Sequence, residues 1–182
     1  MTTTKLITAD ELLMMPDNGL RQELVRGVLI EMPPPGKRHG LVSSGFNAAL
    51  YNYAAANDYG WVGDNHGYRL ESNPDTVRAP DVVWYAPGHP AEQTDGYPER
   101  APNLVVEIKS PSDTPRGVAE RAQMWLDFRA QEVWYGDPET TTVTRYRPGQ
   151  DPETLGEDDT LDGGDLLPGF NIPVWQLFRR HR

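Results

Sequence analysis

The sequence predicts an α/β (α+β) domain built on one mixed sheet, and three observations carry that prediction. Two short apolar runs, Val82-Val83-Trp84-Tyr85 and Leu104-Val105-Val106-Glu107-Ile108, read as buried strands. Two longer segments, His39 to about Asp58 and Arg116 to Gln131, carry apolar residues at helical spacing. The second helix falls between the Leu104 strand and Glu132-Val133-Trp134-Tyr135. Strand, helix and strand in that order form a crossover unit, which lays two strands side by side.

The remaining elements follow along the chain. Thr8-Ala9-Asp10-Glu11 is a capping box opening a short helix over Leu12, Leu13 and Met14. Arg21 to Val25 and Val28 to Met32 flank Arg26-Gly27, a two-residue hairpin turn. Pro33-Pro34-Pro35-Gly36 breaks the chain, and Val42, Phe46, Ala49, Leu50 and Tyr53 then line one face of the first long helix. Trp61 to Glu71 reads as one or two strands, and Asn73-Pro74-Asp75-Thr76 as a turn. Pro80-Asp81 leads into the Val82 strand, and a polar loop from Pro87 to Asn103 joins it to the Leu104 strand. Val118, Ala122, Trp125 and Leu126 share a face of the second helix. Thr141 to Tyr146 pairs with the Glu132 strand around Asp137-Pro138. Asp151 to Asp165 reads as an acidic loop, and Ile172 to Arg180 as a closing short strand or helix.

The 182 residues suit one domain, 1–182, with no internal repeat and no dividing linker. Hydrophobic residues at 37% and charged ones at 24% exclude a disordered or fibrous chain. No apolar run approaches the roughly 18 residues of a membrane helix, and Met1 to Lys5 leads into a polar helix start rather than a signal-peptide core. The expectation is a cytoplasmic protein without membrane association. Cysteine is absent, so disulfides and thiolate metal sites are excluded. The net charge of −10 argues against tight nonspecific coating of nucleic acid. Seven of the acids, however, lie between Asp151 and Asp165, a segment without a base. Lysine occurs only at Lys5, Lys37 and Lys109, and arginine supplies the other basic side chains.

One of those lysines belongs to Glu107-Ile108-Lys109. Strand side chains alternate, so Glu107 and Lys109 point the same way. An ionised Glu in so apolar a strand needs a partner or a cation. Asp81 follows Pro80 at the mouth of the other apolar strand. If the two strands pair as a hairpin, Asp81 and Glu107 converge at one sheet end. Two carboxylates and a backbone carbonyl suit Mg2+ or Mn2+, and a lysine beside them can orient or deprotonate water and stabilise charge on a phosphate. Taken singly, the same residues have plainer readings. Asp81 can be a turn residue after proline, and Glu107 with Lys109 a solvated ion pair.

Pro80-Asp81 followed by Glu107-Ile108-Lys109 resembles the active-site pattern of the PD-(D/E)XK nuclease superfamily. More specifically, the chain resembles the bacterial restriction-endonuclease family labelled Uma-two. The resemblance is carried by Arg21-Gln22-Glu23-Leu24-Val25-Arg26-Gly27, Arg78-Ala79-Pro80-Asp81-Val82, Leu104 to Ser112, Glu132 to Pro138 and Leu167-Pro168-Gly169-Phe170. It implies a restriction-endonuclease-like core with Asp81, Glu107 and the Ile108 carbonyl as metal ligands and Lys109 as the water-positioning residue. Glu23 matches an upstream acidic position that would complete the cluster; its plainer reading is an exposed partner for Arg21 or Arg26. His39 matches a position where relatives show His, and it would touch phosphate or metal; a capping or surface His is the alternative. Arg121 stands where many relatives carry a lysine, and it would support phosphate or Glu107. Arginine does not serve as a base, and its alternative role is a solvated helix-face partner.

The function expected is a Mg2+- or Mn2+-dependent DNA endonuclease, engaging DNA weakly and with metal. The alternative is a nuclease-fold binding module without turnover, favoured by the lack of a Lys/Arg-rich stripe. A two-carboxylate glycosidase fits less well, because the motif supplies Lys109 and lacks a general-acid context. A homodimer is expected, since cutting two strands pairs two sites; Trp134, Tyr135 and Trp175 are a candidate apolar face, and core packing is their plainer reading.

Overall fold

The structure is a computed structural model that describes residues 5–178. Its first layer is a small antiparallel sheet. Helix α1 (Ala9–Leu13) opens on the expected capping box, with Thr8 Oγ1 accepting from Glu11 N. Strands β1 (Arg21–Val25) and β2 (Val28–Met32) form the expected hairpin, closing on Arg26 and Gly27, both at positive φ. That conformation matches the right-handed twist of the flanking strands, and Gly27 adopts it without strain. Helix α2 (Lys37–Asn57) follows the proline run.

Strand β3 (Trp61–Asp64) belongs to the larger sheet, whereas β4 (Tyr68–Glu71) and β5 (Thr76–Arg78) return to the small one, in order β2-β1-β5-β4. Strand β5 starts at Thr76, the last residue of the expected turn, and runs through residues that the sequence leaves unassigned. At three residues it is too short for an alternating pattern, and its pairing with β1 and β4 defines it. Arg78-Ala79-Pro80-Asp81 then carries the chain from the small sheet into β6 (Val82–Tyr85) of the large one.

The large sheet is mixed, as expected. Strand β7 (Leu104–Ile108) pairs antiparallel with β6 through Val82↔Val106, Val83↔Val105 and Trp84↔Leu104. Helix α3 (Pro115–Asp127) crosses over to β8 (Glu132–Asp137), which runs parallel to β7. Strands β9 (Thr142–Tyr146) and β10 (Glu153–Leu155) complete the order β10-β9-β8-β7-β6-β3. The acidic stretch is therefore not simply a loop. It contributes β10 and also β11 (Thr160–Asp162), which pairs with β12 (Asn171–Pro173) ahead of α4 (Val174–Leu177). Leu161 is fully buried and anchors β11, an apolar signal outweighed in the sequence by flanking Asp and Gly. Residues 179 and 180 of the predicted closing element lie outside the described residues.

Alternation along β6 and β7 divides the core. Val82, Trp84, Leu104, Val106 and Ile108 pack against Val42, Phe46 and Leu50 of α2. Val83, Tyr85 and Val105 pack with Val133 against Ala122 and Trp125 of α3. Burying side chains of this size stabilises by about 1.5–3 kcal/mol each, and it makes the strand ends rigid. Trp134 and Tyr135 belong to this interior, so they are not available as a dimer face; Trp175 remains partly exposed. A Cβ at Gly136 would lie 2.9 Å from the Phe46 ring, so glycine there lets α2 close onto the end of β8 beside Ile108.

Candidate active site at the carboxylate end of the sheet

Extended by one residue, the β6–β7 register sets Asp81 across from Glu107. Both are almost fully buried, at 3% exposure. Glu23 arrives from the small sheet: β1 lies beside β5, and Ala79 N, on the link to β6, donates to Glu23 Oε1 at 3.2 Å. Glu23 has no exposed surface, which removes the reading of it as an exposed partner. The three acids thus reach one end of the fold from three strands or their edges.

Their partners are mostly arginines. Arg21 bridges Asp81 (Nη1 to Oδ1, 3.2 Å) and Glu23 (Nη2 to Oε1, 3.4 Å). Arg121 bridges Glu107 (Nε to Oε1, 2.8 Å) and Glu23 (Nη2 to Oε1, 3.2 Å). Arg78 donates from Nη1 to Glu23 Oε2 at 2.6 Å. Trp125, one turn after Arg121 on α3, donates its indole N–H to Glu107 Oε1 at 2.8 Å. Asp81 Oδ2 accepts from Ile108 N at 2.7 Å and lies 3.2 Å from His39 Nε2, while His39 Nδ1 is buried without a partner. Among the described residues, no three His, Cys, Asp or Glu side chains form a metal-holding group.

Electrostatics separate the acids. Burial works against ionisation of Glu23, but Arg121, Arg78 and Arg21 outweigh it and hold the carboxyl below its usual value. Asp81 is likewise held low: burial opposes, and His39, the Ile108 N–H and Arg21 prevail. Glu107 goes the other way. Burial pushes it up, Asp81 adds to the push, and Arg121 and Trp125 compensate only in part. For His39, burial disfavours the imidazolium, but the bonded Asp81 carboxylate and the Ile108 carbonyl raise its pKa.

Lys109 extends from the end of β7, and its backbone N–H still pairs with Gly136 O. Its ammonium donates to Asp137 Oδ2 at 2.7 Å and lies 3.9 Å from Glu139, contacts that raise its pKa. Asp137 is itself fixed, since its Oδ1 accepts from Glu139 N at 2.8 Å. Lys109 and Asp137 share with His39 and Arg38 a cleft of about 180 Å³ at the N-terminus of α2. The structure therefore brings Glu23, Asp81, Glu107, His39 and Arg121 into one network, and it ties Lys109 to Asp137 at the network's border. Arg78, Trp125 and Asp137 were not foreseen as site residues. Trp125 carried a signal in its spacing of four from Arg121, which puts both on one helix face.

The donor chemistry is suited to a hard divalent cation: two carboxylates that repel one another, with a backbone carbonyl beside them. Glu107 in particular is pushed up by its burial and by Asp81, which Arg121 offsets only in part. Any cation there would take the place of contacts now made by Arg21 and Arg121.

A mixed sheet flanked by helices, with acids gathered at the ends of an antiparallel pair and a crossover helix behind them, defines a restriction-endonuclease-like α+β fold. A solved structure with this fold, titled a "putative nuclease belonging to DUF820 from Anabaena variabilis ATCC 29413", superposes with a TM-score of 0.77 at 22% identity, covering 94% of this chain and 97% of that one. The model of the Uma2 family, described as "Putative restriction endonuclease", matches residues 9–175, and the chain belongs to that family. No curated protein matches it.

Proposed function

We propose that the protein is a Mg2+- or Mn2+-dependent endonuclease that hydrolyses phosphodiester bonds of DNA at the Asp81–Glu107–Lys109 centre. The observation that carries this reading is the pairing of β6 with β7, which opposes two buried carboxylates at the strand ends. Asp81, Glu107 and the Ile108 carbonyl would hold the cation. When bound, it supplies Lewis acidity toward water and phosphate oxygens. Lys109, kept protonated by Asp137, acts as a donor and a fixed positive charge that orients water and phosphate, not as a base. His39 fixes Asp81 from the α2 side, and Trp125 fixes Glu107 from the α3 side. Glu23 would hold Arg21 and Arg121 at the edge of the centre. Cutting both strands from one such centre calls for two copies, so a homodimer is part of the same proposal; a monomer in sedimentation at micromolar concentration would remove it. Among the described residues, no helix is long and apolar enough to cross a membrane.

One observation favours a second reading, a binding module of the same fold without turnover: each of the three acids is already bonded to an arginine. Supercoiled plasmid incubated with Mg2+ or Mn2+ separates the two. The nuclease reading expects cleavage by the wild type and none by Asp81→Ala or Lys109→Ala. Wild-type cleavage no greater than that of the variants leaves the binding module.

A further inference from the structure

Glu23 is surrounded by more positive charge than one carboxylate needs. Arg78 reaches Oε2, while Arg121, Arg21 and the Ala79 N–H all reach Oε1. The three arginines come from β5, α3 and β1. Glu23 is sealed beneath them, whereas the arginine side chains keep 22–25% of their surface exposed. Their guanidinium groups therefore form the wall between the buried acid and solvent. Arg21 Nε and Arg78 Nε are buried without a hydrogen-bond partner, so the exposed part of each guanidinium is its Nη edge.

With all three acids ionised, as a bound cation would hold them, three guanidiniums face three carboxylates. Arg21 is shared with Asp81 and Arg121 with Glu107, the two acids that would hold the cation. A divalent ion on that pair leaves two positive charges in excess, on groups already fixed in place by Glu23. Guanidinium edges fixed at a partly exposed rim match the paired nonbridging oxygens of a phosphodiester. We propose that Arg21, Arg78 and Arg121, held as a unit by Glu23, form a phosphate-binding site for a nucleic-acid backbone that becomes competent when a divalent cation engages Asp81 and Glu107. This rests on the reading of the centre given above. It makes Glu23 a positioning residue acting through the arginines.

The test is fluorescence anisotropy of a fluorescein-labelled DNA duplex with the full chain, in Ca2+ or in EDTA, with circular dichroism confirming each variant's fold. Wild type should bind about tenfold or more tightly in Ca2+ than in EDTA. Arg78 touches neither proposed metal ligand, so Arg78→Gln should weaken binding in Ca2+ about tenfold and flatten the salt slope by about one unit. Where that variant does not fold, Arg78→Lys keeps the charge but loses the fork, and an intermediate loss is expected. Glu23→Gln is the sharpest variant. It makes the protein more positive, so nonspecific attraction predicts tighter binding; loss of the anchor predicts binding about tenfold weaker, with Glu23→Asp partly restoring it. Equal binding with and without Ca2+, no effect of either Arg78 variant, or tighter binding by Glu23→Gln overturns the proposal. A chain that fails to cleave in Mn2+ but keeps calcium- and Glu23-dependent binding loses the nuclease reading and retains the phosphate site. Cleavage with unaltered DNA binding in the Arg78 and Glu23 variants does the reverse.

Discussion

The large sheet carries the same trio at both ends, in different company. At one end Glu107 Oε1 accepts from Arg121 Nε and the Trp125 indole, each at 2.8 Å. At the other, Glu132 Oε1 accepts from Arg145 Nε at 2.6 Å and the Trp134 indole at 2.8 Å. All but Arg121 of these side chains are nearly fully buried. The surroundings differ. Arg145 sends its other nitrogen toward Asp162 and Glu153, both substantially exposed, so one buried acid meets one buried base. Glu107 faces a second buried acid, Asp81, and shares its arginine with a third, Glu23. A buried glutamate with an arginine and an indole is thus a structural unit that this chain uses twice. Crowding three acids around one copy is what points that end toward chemistry.

The largest contrast concerns catalysis. Asp81→Ala and Glu107→Gln should each lower plasmid cleavage in Mn2+ by about a thousandfold or more, whereas Trp134→Phe at the other end should leave it nearly unchanged. Equal losses at both ends would break the comparison.

Stability should rank the ends the opposite way. Arg145→Ala strands a buried Glu132 and should cost about 3–5 kcal/mol in urea unfolding. Glu107→Gln removes a carboxylate whose ionised form is disfavoured, and Arg121 keeps Glu23, so the change should stay within about 1 kcal/mol. Acid titration sharpens this further. Glu23 has a folded pKa below its reference value of 4.5, so its contribution is full above that pH and disappears as the pH falls through the lowered value. Glu107 is raised, so its contribution is present below 4.5 and is lost as the pH rises through the raised value. Glu23→Gln should therefore flatten the fall in stability below about pH 4.5, and Glu107→Gln should not. The smallest effect belongs to the exposed rim at the Glu132 end. Arg147→Ala removes a partly exposed pair with Glu153, and unfolding should shift by less than about 1 kcal/mol.

Much of this was legible in the sequence, because the long elements carry periodic apolar residues and the turns carry specific chemistry. Whereas the β6–β7 pairing stood only as a condition, the Thr8 capping box, the Arg26-Gly27 hairpin, both long helices and the crossover to β8 follow from local rules. Strands β5, β10 and β11 did not, being three residues long and held by pairing that no local pattern encodes. At the site, Pro80-Asp81 at the mouth of one apolar strand and Glu107 near the end of the other implied convergence if the two strands pair, and they do. Alternation also put Lys109 on the face of Glu107, but its bonds run to Asp137 and Glu139 just beyond the end of β7. The arginine shell was hidden for a different reason. Arg21, Arg78 and Arg121 lie far apart in the chain, and only the meeting of two sheets and a helix around Glu23 makes them neighbours.

Calorimetric titration with Mn2+ tests most directly whether the three-acid end is a metal centre and the one-acid end a structural pair. One binding event is expected in the wild type, kept in Trp134→Phe and abolished in Glu107→Gln while that variant remains folded. Mn2+ binding that survives Glu107→Gln unchanged, or its absence from the wild type, would contradict it.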